Sequence, residues 1–274
     1  MTQSEIKVAA VPSSADSFVS IGIFTVPAGV LRLRKLRLTC APDQTLASTS
    51  VRMGPVFRLI GSGITEQSPH SYLGIFGGHF SLTDEGTAVN NATMEYDVDI
   101  PVRTGGTIDV QMKTLAEALA AGTMQANLFY DENAAQSTNS MADEVDAVGT
   151  LTADAYAALG TLTVPKSKEG NDPTKIKAIV IGVAIDEGIA AFSLRLASRF
   201  RLTGSGIAEG GSHEIVGPSG DFGIVVIGGN AAYNLTAYIE VDIPVNPGGP
   251  IVVEQLFENE VPTASSVAVG VLYA

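Results

Sequence analysis

The residues best suited to chemistry are two carboxylate–imidazole pairs, Glu66 with His70 and Glu209 with His213. Each pair ends one copy of a repeated phrase, FRLIGSGITEQSPH in the first half of the chain and FRLTGSGIAEGGSH in the second. Side chains four residues apart can reach one metal ion, but zinc normally takes three or four ligands. No third His, Cys or acidic residue near either pair is shared by both copies. We therefore predict no metal site and expect the histidine to hydrogen-bond a loop carbonyl, with metal binding by these residues as the less favoured alternative.

The phrase belongs to a longer internal repeat, which runs at an offset of 143 residues from Phe57 to Phe200. At this offset about a third of the residues in 50–130 are identical to their counterparts, including DIPV, the pair Gly105-Gly106 and a late tyrosine. Glycine supplies positive φ and sharp turns, so backbone geometry alone explains the GSG element. The sequence therefore predicts a fold written twice.

The repeat unit of about 130 residues is far longer than the 20–50 residues of solenoid and propeller repeats. We predict two tandem domains, 1–140 and 141–274, joined by a polar, acidic linker at 131–156 that contains at most a short helix. The second copy also carries a polar insertion at 166–172.

Both halves read as β-structure, because short runs rich in Val, Ile, Leu, Phe and Thr are separated by Gly and Pro. The predicted strands of the first half are Ser17–Val26, Leu31–Thr39, Val51–Leu59, Thr93–Val102, Thr107–Lys113 and Gly122–Tyr130. Only Thr114–Ala121 resembles a helical turn. Many short strands with Gly/Pro turns are typical of sandwiches and barrels. The predicted fold class is all-β, with two tandem, internally duplicated antiparallel β-sandwich (jelly-roll) domains.

The clearest alternation is VLRLRKLRL, which places Leu31, Leu33 and Leu38 on a buried face and the Arg and Lys side chains on a solvent face. The alternation slips around Lys35 and Leu36. This slip predicts an irregularity within the strand.

Composition excludes several classes of function. The formal net charge is −13, and the longest basic run is only Arg32–Lys35, so direct nucleic-acid binding is not expected. No run approaches the ~20 apolar residues of a membrane span, and the N-terminus lacks the apolar core of a signal peptide. We expect synthesis in the cytoplasm without a signal peptide. The single Cys40 sits in an apolar run and is predicted to be a buried small residue.

Other shared polar residues are predicted to be structural. Arginines recur in both copies and, in an Arg–Asp cross-strand pair, would help to fix strand register; the shared set is Arg52, Arg58, Arg195, Arg201, Asp99 and Asp242. We expect no bound cofactor, with calcium on acidic loops left open, because calcium prefers carboxylate and carbonyl oxygens. The acidic candidates are Asp131, Glu132, Asp143, Glu144, Asp146, Asp186 and Glu187.

Enzyme signatures are not found. The sequence has no Gly-x-Ser-x-Gly elbow, P-loop or His-Glu-x-x-His, and GSG is not followed by a βαβ pattern. We predict no catalytic residues; a metal-dependent cupin-like enzyme would need a His/Glu cluster that neither half contains.

The repeated TVP, FRLxGSG and VDIPV segments resemble, in layout over the whole chain, the double jelly-roll major capsid proteins of icosahedral viruses of bacteria and archaea. That resemblance implies a purely structural homotrimer that packs into a shell, with other coat proteins as further partners. It places the protein in a virion or another extracellular or surface assembly.

A second resemblance is carried by GIFTVPAGVLRLRKLRL and the ending ASSVAVGVLYA, which look like the opening and closing strands of C1q/TNF-type jelly rolls. It implies the alternative function, a trimeric receptor- or ligand-binding module of a fibre or surface appendage. Self-assembly is the preferred prediction, because the chain has no Trp and only seven Tyr to offer a glycan.

Overall fold

The computed structural model of the chain describes residues 3–10, 15–42, 54–66, 69–78, 82–83, 86–87, 93–115, 122–132, 141–149, 154–167, 171–186, 193–223, 233–234, 236–258 and 264–274. Throughout these residues the regular secondary structure is β-strand, as the sequence predicts. No helix in the described part of the chain has the length and apolar character that a membrane crossing requires.

The first half of the chain forms two four-stranded antiparallel sheets, which we call the first sandwich. Its strands, with three short ones between β5 and β9, are β1 (Gln3–Ala10), β2 (Val19–Thr25), β3 (Arg32–Pro42), β4 (Pro55–Ile60), β5 (Ser71–Leu73), β6 (Gly77–Gly78), β7 (Leu82–Thr83), β8 (Gly86–Thr87), β9 (Thr93–Pro101), β10 (Thr107–Thr114) and β11 (Gly122–Asp131). The sheets have the orders β1-β11-β3-β9 and β2-β10-β4-β5. The chain thus crosses repeatedly from one sheet to the other, as in a jelly roll.

The second half repeats the order of the eight sheet strands and forms the second sandwich. Its strands are β12 (Met141–Gly149), β13 (Ala157–Thr163), β14 (Lys175–Asp186), β15 (Ser193–Thr203), β16 (His213–Gly223), β17 (Tyr233–Asn234), β18 (Thr236–Pro244), β19 (Pro250–Phe257) and β20 (Ala264–Tyr273). The sheet orders are β12-β20-β14-β18 and β13-β19-β15-β16. A common origin of the halves and the domain limits 1–140 and 141–274 stay predictions from the sequence.

Each core is filled by the side chains that alternate inward along the strands. The pattern is identical in the equivalent strands β10 and β19, where every second residue is buried. Phe57 and Phe200, the first residues of the repeated phrase, are buried at corresponding positions of β4 and β15. The period-2 pattern of the sequence therefore places the core correctly.

Strand β3 shows both the strength and the limit of that pattern. Leu33, Leu36 and Leu38 are fully buried, and the register against β9 shifts between Leu33 and Lys35. This shift confirms the predicted irregularity, because an extra residue brings Leu36 back into phase. The prediction for Leu31 is wrong: it precedes β3 at the end of the sandwich and is 44% exposed.

The predicted linker at 131–156 is corrected by the structure. Strand β11 ends at Asp131, and Met141–Gly149 forms β12, which pairs with β20 along its whole length. The linker prediction failed because the apolar residues of this edge strand are separated by carboxylates. The predicted helical turn Thr114–Ala121 begins at the last residue of β10, and 116–121 lie outside the described residues.

Candidate functional site between the two sandwiches

The repeated phrase makes the turn that follows β4 in the first sandwich and β15 in the second. Gly61 has a φ of 133°, and the turn packs backbone against backbone. A Cβ on Gly106 would lie 2.5 Å from the Cα of Gly63, and one on Gly249 would lie 2.7 Å from the Cα of Gly206. In both sandwiches the GSG turn therefore packs against the GG turn at the same end, and the contact is too close for a side chain at these positions.

Glu66 and His70 lie where the first sandwich meets the second, and these residues are 1% and 3% exposed. Ser167, from the polar insertion of the second copy, donates a hydrogen bond from Oγ to Glu66 Oε2 at 3.0 Å. The backbone N–H of Ala142 donates to the Pro69 carbonyl at 3.0 Å. The pair therefore belongs to the contact between the sandwiches.

The ring of His70 is held neutral by its surroundings. Nε2 lies 3.3 Å from the carbonyl oxygen of Glu66, so this nitrogen carries the proton and donates. The buried Nδ1 has no hydrogen-bond partner among the described residues. Burial lowers the pKa of His70 to about 4, although the Glu66 carbonyl and carboxylate act in the opposite direction. The predicted histidine-to-loop-carbonyl bond is confirmed for His70.

The second pair has a different environment. Glu209 is exposed, and His213 is half-exposed at the start of β16, opposite Leu202 of β15. The structure therefore does not bring the two pairs into equivalent sites. Within the described ranges, no group of three or more His, Cys, Asp or Glu side chains is placed to hold a metal ion.

A cleft of about 450 Å³ opens beside the first pair. Its lining is the repeated phrase itself, namely Leu59, Ile60, Gly61, Ser62, Ile64, Glu66 and His70. The walls are largely apolar and backbone, with one carboxylate and one neutral imidazole. This cleft has the volume of a small-ligand site, and among the described residues it holds no nucleophile paired with a base.

An apolar contact joins the described parts of the two sandwiches, and we call it the edge-to-face contact. The first sandwich contributes Tyr72 and Leu73 of β5, Phe76, and Tyr96 of β9, all buried. The second sandwich contributes the outer face of its sheet β12-β20-β14-β18. That face consists of small or aliphatic residues, Ala142, Ala178, Val180, Gly182, Ala184, Ala268, Gly270 and Leu272.

Two glycines show how close this packing is. A Cβ on Gly182 would lie 2.4 Å from the ring of Phe76, and one on Gly270 would lie 3.2 Å from Leu73 Cγ. The Tyr96 hydroxyl donates to the Leu73 carbonyl at 2.6 Å, and its ring lies 5.0 Å from that of Tyr72. Short strands β6 and β17, one from each half, also pair with each other. The sandwiches are therefore packed like parts of one core.

A charged cluster flanks the apolar contact. Lys113 of β10 reaches Glu144 at 3.3 Å and Asp146 at 2.5 Å, both on β12. Burial alone would lower the pKa of Lys113, but the hydrogen bond to Asp146 and the two carboxylates raise it. Burial raises the pKa of Glu144 to about 7 against the opposing effect of Lys113.

The other acidic residues named as calcium candidates lie in separate surroundings. Asp143 accepts a hydrogen bond from the Glu144 N–H at 2.9 Å, and Asp131 forms an ion pair with Arg34 at 3.8 Å. Glu132 is exposed at the end of β11. The side chain of Asp186 and all of Glu187 lie outside the described residues.

Asp99 forms a cross-strand ion pair with arginines, but these arginines are not among the ones shared by the two copies. Its Oδ1 accepts from Arg32 at 3.0 Å and from Arg34 at 2.5 Å, both on β3. The predicted solvent face of β3 is thus wrong for Arg32, which is buried because this ion pair satisfies it. In the second sandwich Asp242 pairs with Lys175 instead, at 2.8 Å.

The shared arginines of β4 and β15 make matching contacts with aromatic rings. Arg58 donates to Gln111 at 2.8 Å and lies 4.0 Å from the ring centroid of Phe18. Arg201 donates to Glu254 at 2.7 Å and lies 4.0 Å from the ring centroid of Tyr156. Arg52 and the side chain of Arg195 lie outside the described residues.

Cys40 is fully buried in the first core, as predicted. Burial raises the pKa of its thiol to about 12, which keeps it protonated and unreactive.

Comparison with known proteins adds distant similarities only. No family model and no curated protein matches the chain. Among solved structures, the PBSX exported protein XepA is 11% identical with a TM-score of 0.24 and coverage of 99% of this chain and 86% of that one. N-glycanase F (PNGase F) is 11% identical with a TM-score of 0.33 and coverage of 98% and 95%. A T=1 Penaeus vannamei nodavirus structure is 9% identical with a TM-score of 0.25 and coverage of 99% and 97%. Scores this far below 0.5 define no family, so the function is inferred from the geometry of the chain itself.

Sequence reasoning missed the edge-to-face contact, although a signal for it exists. β14 reads KIKAIVIGVAID and β20 reads ASSVAVGVLY, with few charges on either face. Their counterparts β3 and β11 alternate with polar residues. A strand that is apolar on both faces is covered on both faces.

Proposed function

We propose that this chain is a structural subunit that assembles with copies of itself into a homo-oligomer, and that it builds an ordered shell or layer. The observation that carries the proposal is the edge-to-face contact between the two sandwiches. The contact is heterologous, since an edge of one sandwich meets a sheet face of the other. Heterologous contacts between like modules generate rings or open arrays when they recur between molecules.

The polar clusters of the described residues support a structural role. Glu66, Ser167 and His70 lie in the contact between the sandwiches, and the charged cluster around Lys113 bridges it. Hydrogen-bonded groups at such positions fix how two modules are oriented. These groups hold the two sandwiches together, which is the role expected in a structural subunit.

A trimer that packs into a virus-type shell is the finer form of the proposal. Two sandwiches per chain give a trimer six lobes, which can tile a surface. The net charge of −13 opposes close packing of copies. Assembly should therefore respond to salt or to calcium, and the proposed setting is a virion or another surface assembly.

A ligand-binding module is the second candidate, and the cleft beside Glu66 favours it. Its volume of about 450 Å³ lies within the range of small-molecule sites. A thermal-shift screen of small ligands, repeated on Glu66→Gln, tests this candidate. Stabilisation of the parent by a ligand that fails to stabilise the variant would support it.

The primary proposal is tested by negative-stain electron microscopy of the concentrated protein, with added calcium and with a chelator. Regular shells, sheets, tubes or discrete multi-copy particles would support a self-assembling subunit. Single particles the size of one chain under all conditions would overturn it.

A further inference from the structure

Within the described residues, the edge-to-face contact uses one edge and one sheet face, and a corresponding edge and a corresponding face of the two sandwiches lie outside it. The offset of 143 residues relates β5 to β16 and places Val216 where Leu73 stands in the first sandwich. Leu73 is 1% exposed because it sits over Gly270 of β20. Val216 is 70% exposed, which is a high fraction for an aliphatic side chain on a strand.

The face that corresponds to the buried one lies on the first sandwich. It is the outer face of the sheet β1-β11-β3-β9, and at the same offset Asn127 stands at the position of Gly270 and Arg37 at that of Val180. Asn127 and Arg37 are direct neighbours across β11 and β3, as Gly270 and Val180 are across β20 and β14. The backbone arrangement is therefore the same, while the side chains are polar and charged.

Each surface carries one exposed charge that is opposite in sign to a charge on the other, and on β16 this charge, Glu214, lies across from Arg201 of β15. Glu214 lies two residues before Val216, on the same side of β16, and is exposed. The side chain of Arg37 is 50% exposed and pairs with Glu95 across the sheet. An exposed ion pair of this kind contributes little, so Arg37 can exchange its partner for a second carboxylate.

We propose that the β16 edge of one copy docks on the outer face of β1-β11-β3-β9 of a second copy, with Val216 over Asn127 and Glu214 beside Arg37. The inference rests on the proposed function and specifies the surfaces that self-assembly uses. Each copy presents one edge and one face, so copies add head to tail into a ring or an open array.

Charge and volume changes at the two surfaces test the inference. Weight-average mass is measured by multi-angle light scattering for the parent, Val216→Glu, and Ile23→Glu as a control, because Ile23 is an exposed apolar residue of β2 (60%) outside both surfaces. We expect an oligomer for the parent and for Ile23→Glu, and a shift to the 28.3 kDa chain mass for Val216→Glu. Glu214→Arg and Arg37→Glu should each lower the mass, and the double variant should restore it in part.

Disulfide trapping identifies the partner surface directly. Chains carrying Val216→Cys are mixed with chains carrying Asn127→Cys under oxidising conditions, and the buried Cys40 does not interfere. Disulfide-linked heterodimers are expected, and each chain alone should stay unlinked.

The possible failures are distinguishable. An oligomeric parent whose mass is unchanged by Val216→Glu and which gives no heterodimer would overturn this inference and leave the proposed function standing. Disulfide-linked dimers formed by Val216→Cys chains alone would show a symmetric contact between two β16 edges and would also overturn the inference. A parent that is monomeric at every concentration would overturn the proposed function and this inference together.

Discussion

Lowering the pH should weaken the contact between the sandwiches by charging His70. The neutral ring donates from Nε2 to the Glu66 carbonyl, and protonation would add a proton to the buried Nδ1, which has no acceptor among the described residues. Burial disfavours the cation more strongly than the Glu66 carbonyl and carboxylate favour it, so protonation is destabilising. The perturbation is therefore a pH decrease from 7 to 4.

The magnitude follows from the pKa of His70, which is about 4 in the folded chain and ordinarily 6.5. Because the folded state binds its proton less readily, the stabilisation is fully present above pH 6.5 and is lost as the pH falls towards 4. The difference corresponds to roughly 3 kcal/mol of unfolding free energy.

The assay is urea unfolding followed by far-ultraviolet circular dichroism, since the chain has no tryptophan. The unfolding free energy of the parent is compared at each pH with that of His70→Gln, whose amide can donate to the same carbonyl but does not titrate. The difference between the two proteins should change by about 3 kcal/mol between pH 7 and pH 4. The matched variant His213→Gln, altered at the half-exposed histidine, should follow the parent.

Two results would refute this reasoning. The first is a free-energy difference between parent and His70→Gln that stays constant across the pH range. The second is a titration of His70 near 6.5 when the ring carbons of the three histidines are followed by nuclear magnetic resonance.

Three further predictions concern the same contact, each measured by urea unfolding. Tyr96→Phe should cost about 1 kcal/mol because it removes a buried hydrogen bond, whereas Tyr72→Phe should be neutral or stabilising because that hydroxyl has no hydrogen-bond partner among the described residues; equal losses would contradict the hydrogen-bond assignment. Glu144→Gln should gain stability relative to the parent as the pH rises from 5 to 8, because a pKa raised to about 7 means that the parent loses stability from pH 4.5 upwards; a parallel pH profile would argue against it. Gly182→Ala should destabilise by about 1–3 kcal/mol, because its Cβ collides with the ring of Phe76; an unchanged midpoint would show that the contact is looser than described.

The sequence was sufficient for the fold of each half, because its signals are local. Alternating strands such as VLRLRKLRL indicate the buried face directly. The GSG and GG elements indicate close backbone contacts at the ends of the sandwiches. The strand β12 was not predicted because its apolar residues are separated by carboxylates, as in a polar linker.

The relation between the halves was not predicted, because it depends on which surfaces meet in space. His70 and His213 occupy the same place in the repeat, yet one is buried at the contact and the other is half-exposed. Arg32 was assigned to solvent because its partner Asp99 is 67 residues away in the chain. The sequence signal for the contact was that β14 is apolar on both faces. This signal is recognised when β14 is compared with its counterpart β3, which alternates with charged residues.

Sedimentation velocity of the parent protein over a wide concentration range tests the central claim most directly. Self-assembly predicts species of at least two copies, with a trimer at three times the 28.3 kDa chain mass as the proposed form. A single species of one chain mass at every concentration, with calcium and without it, would contradict the account.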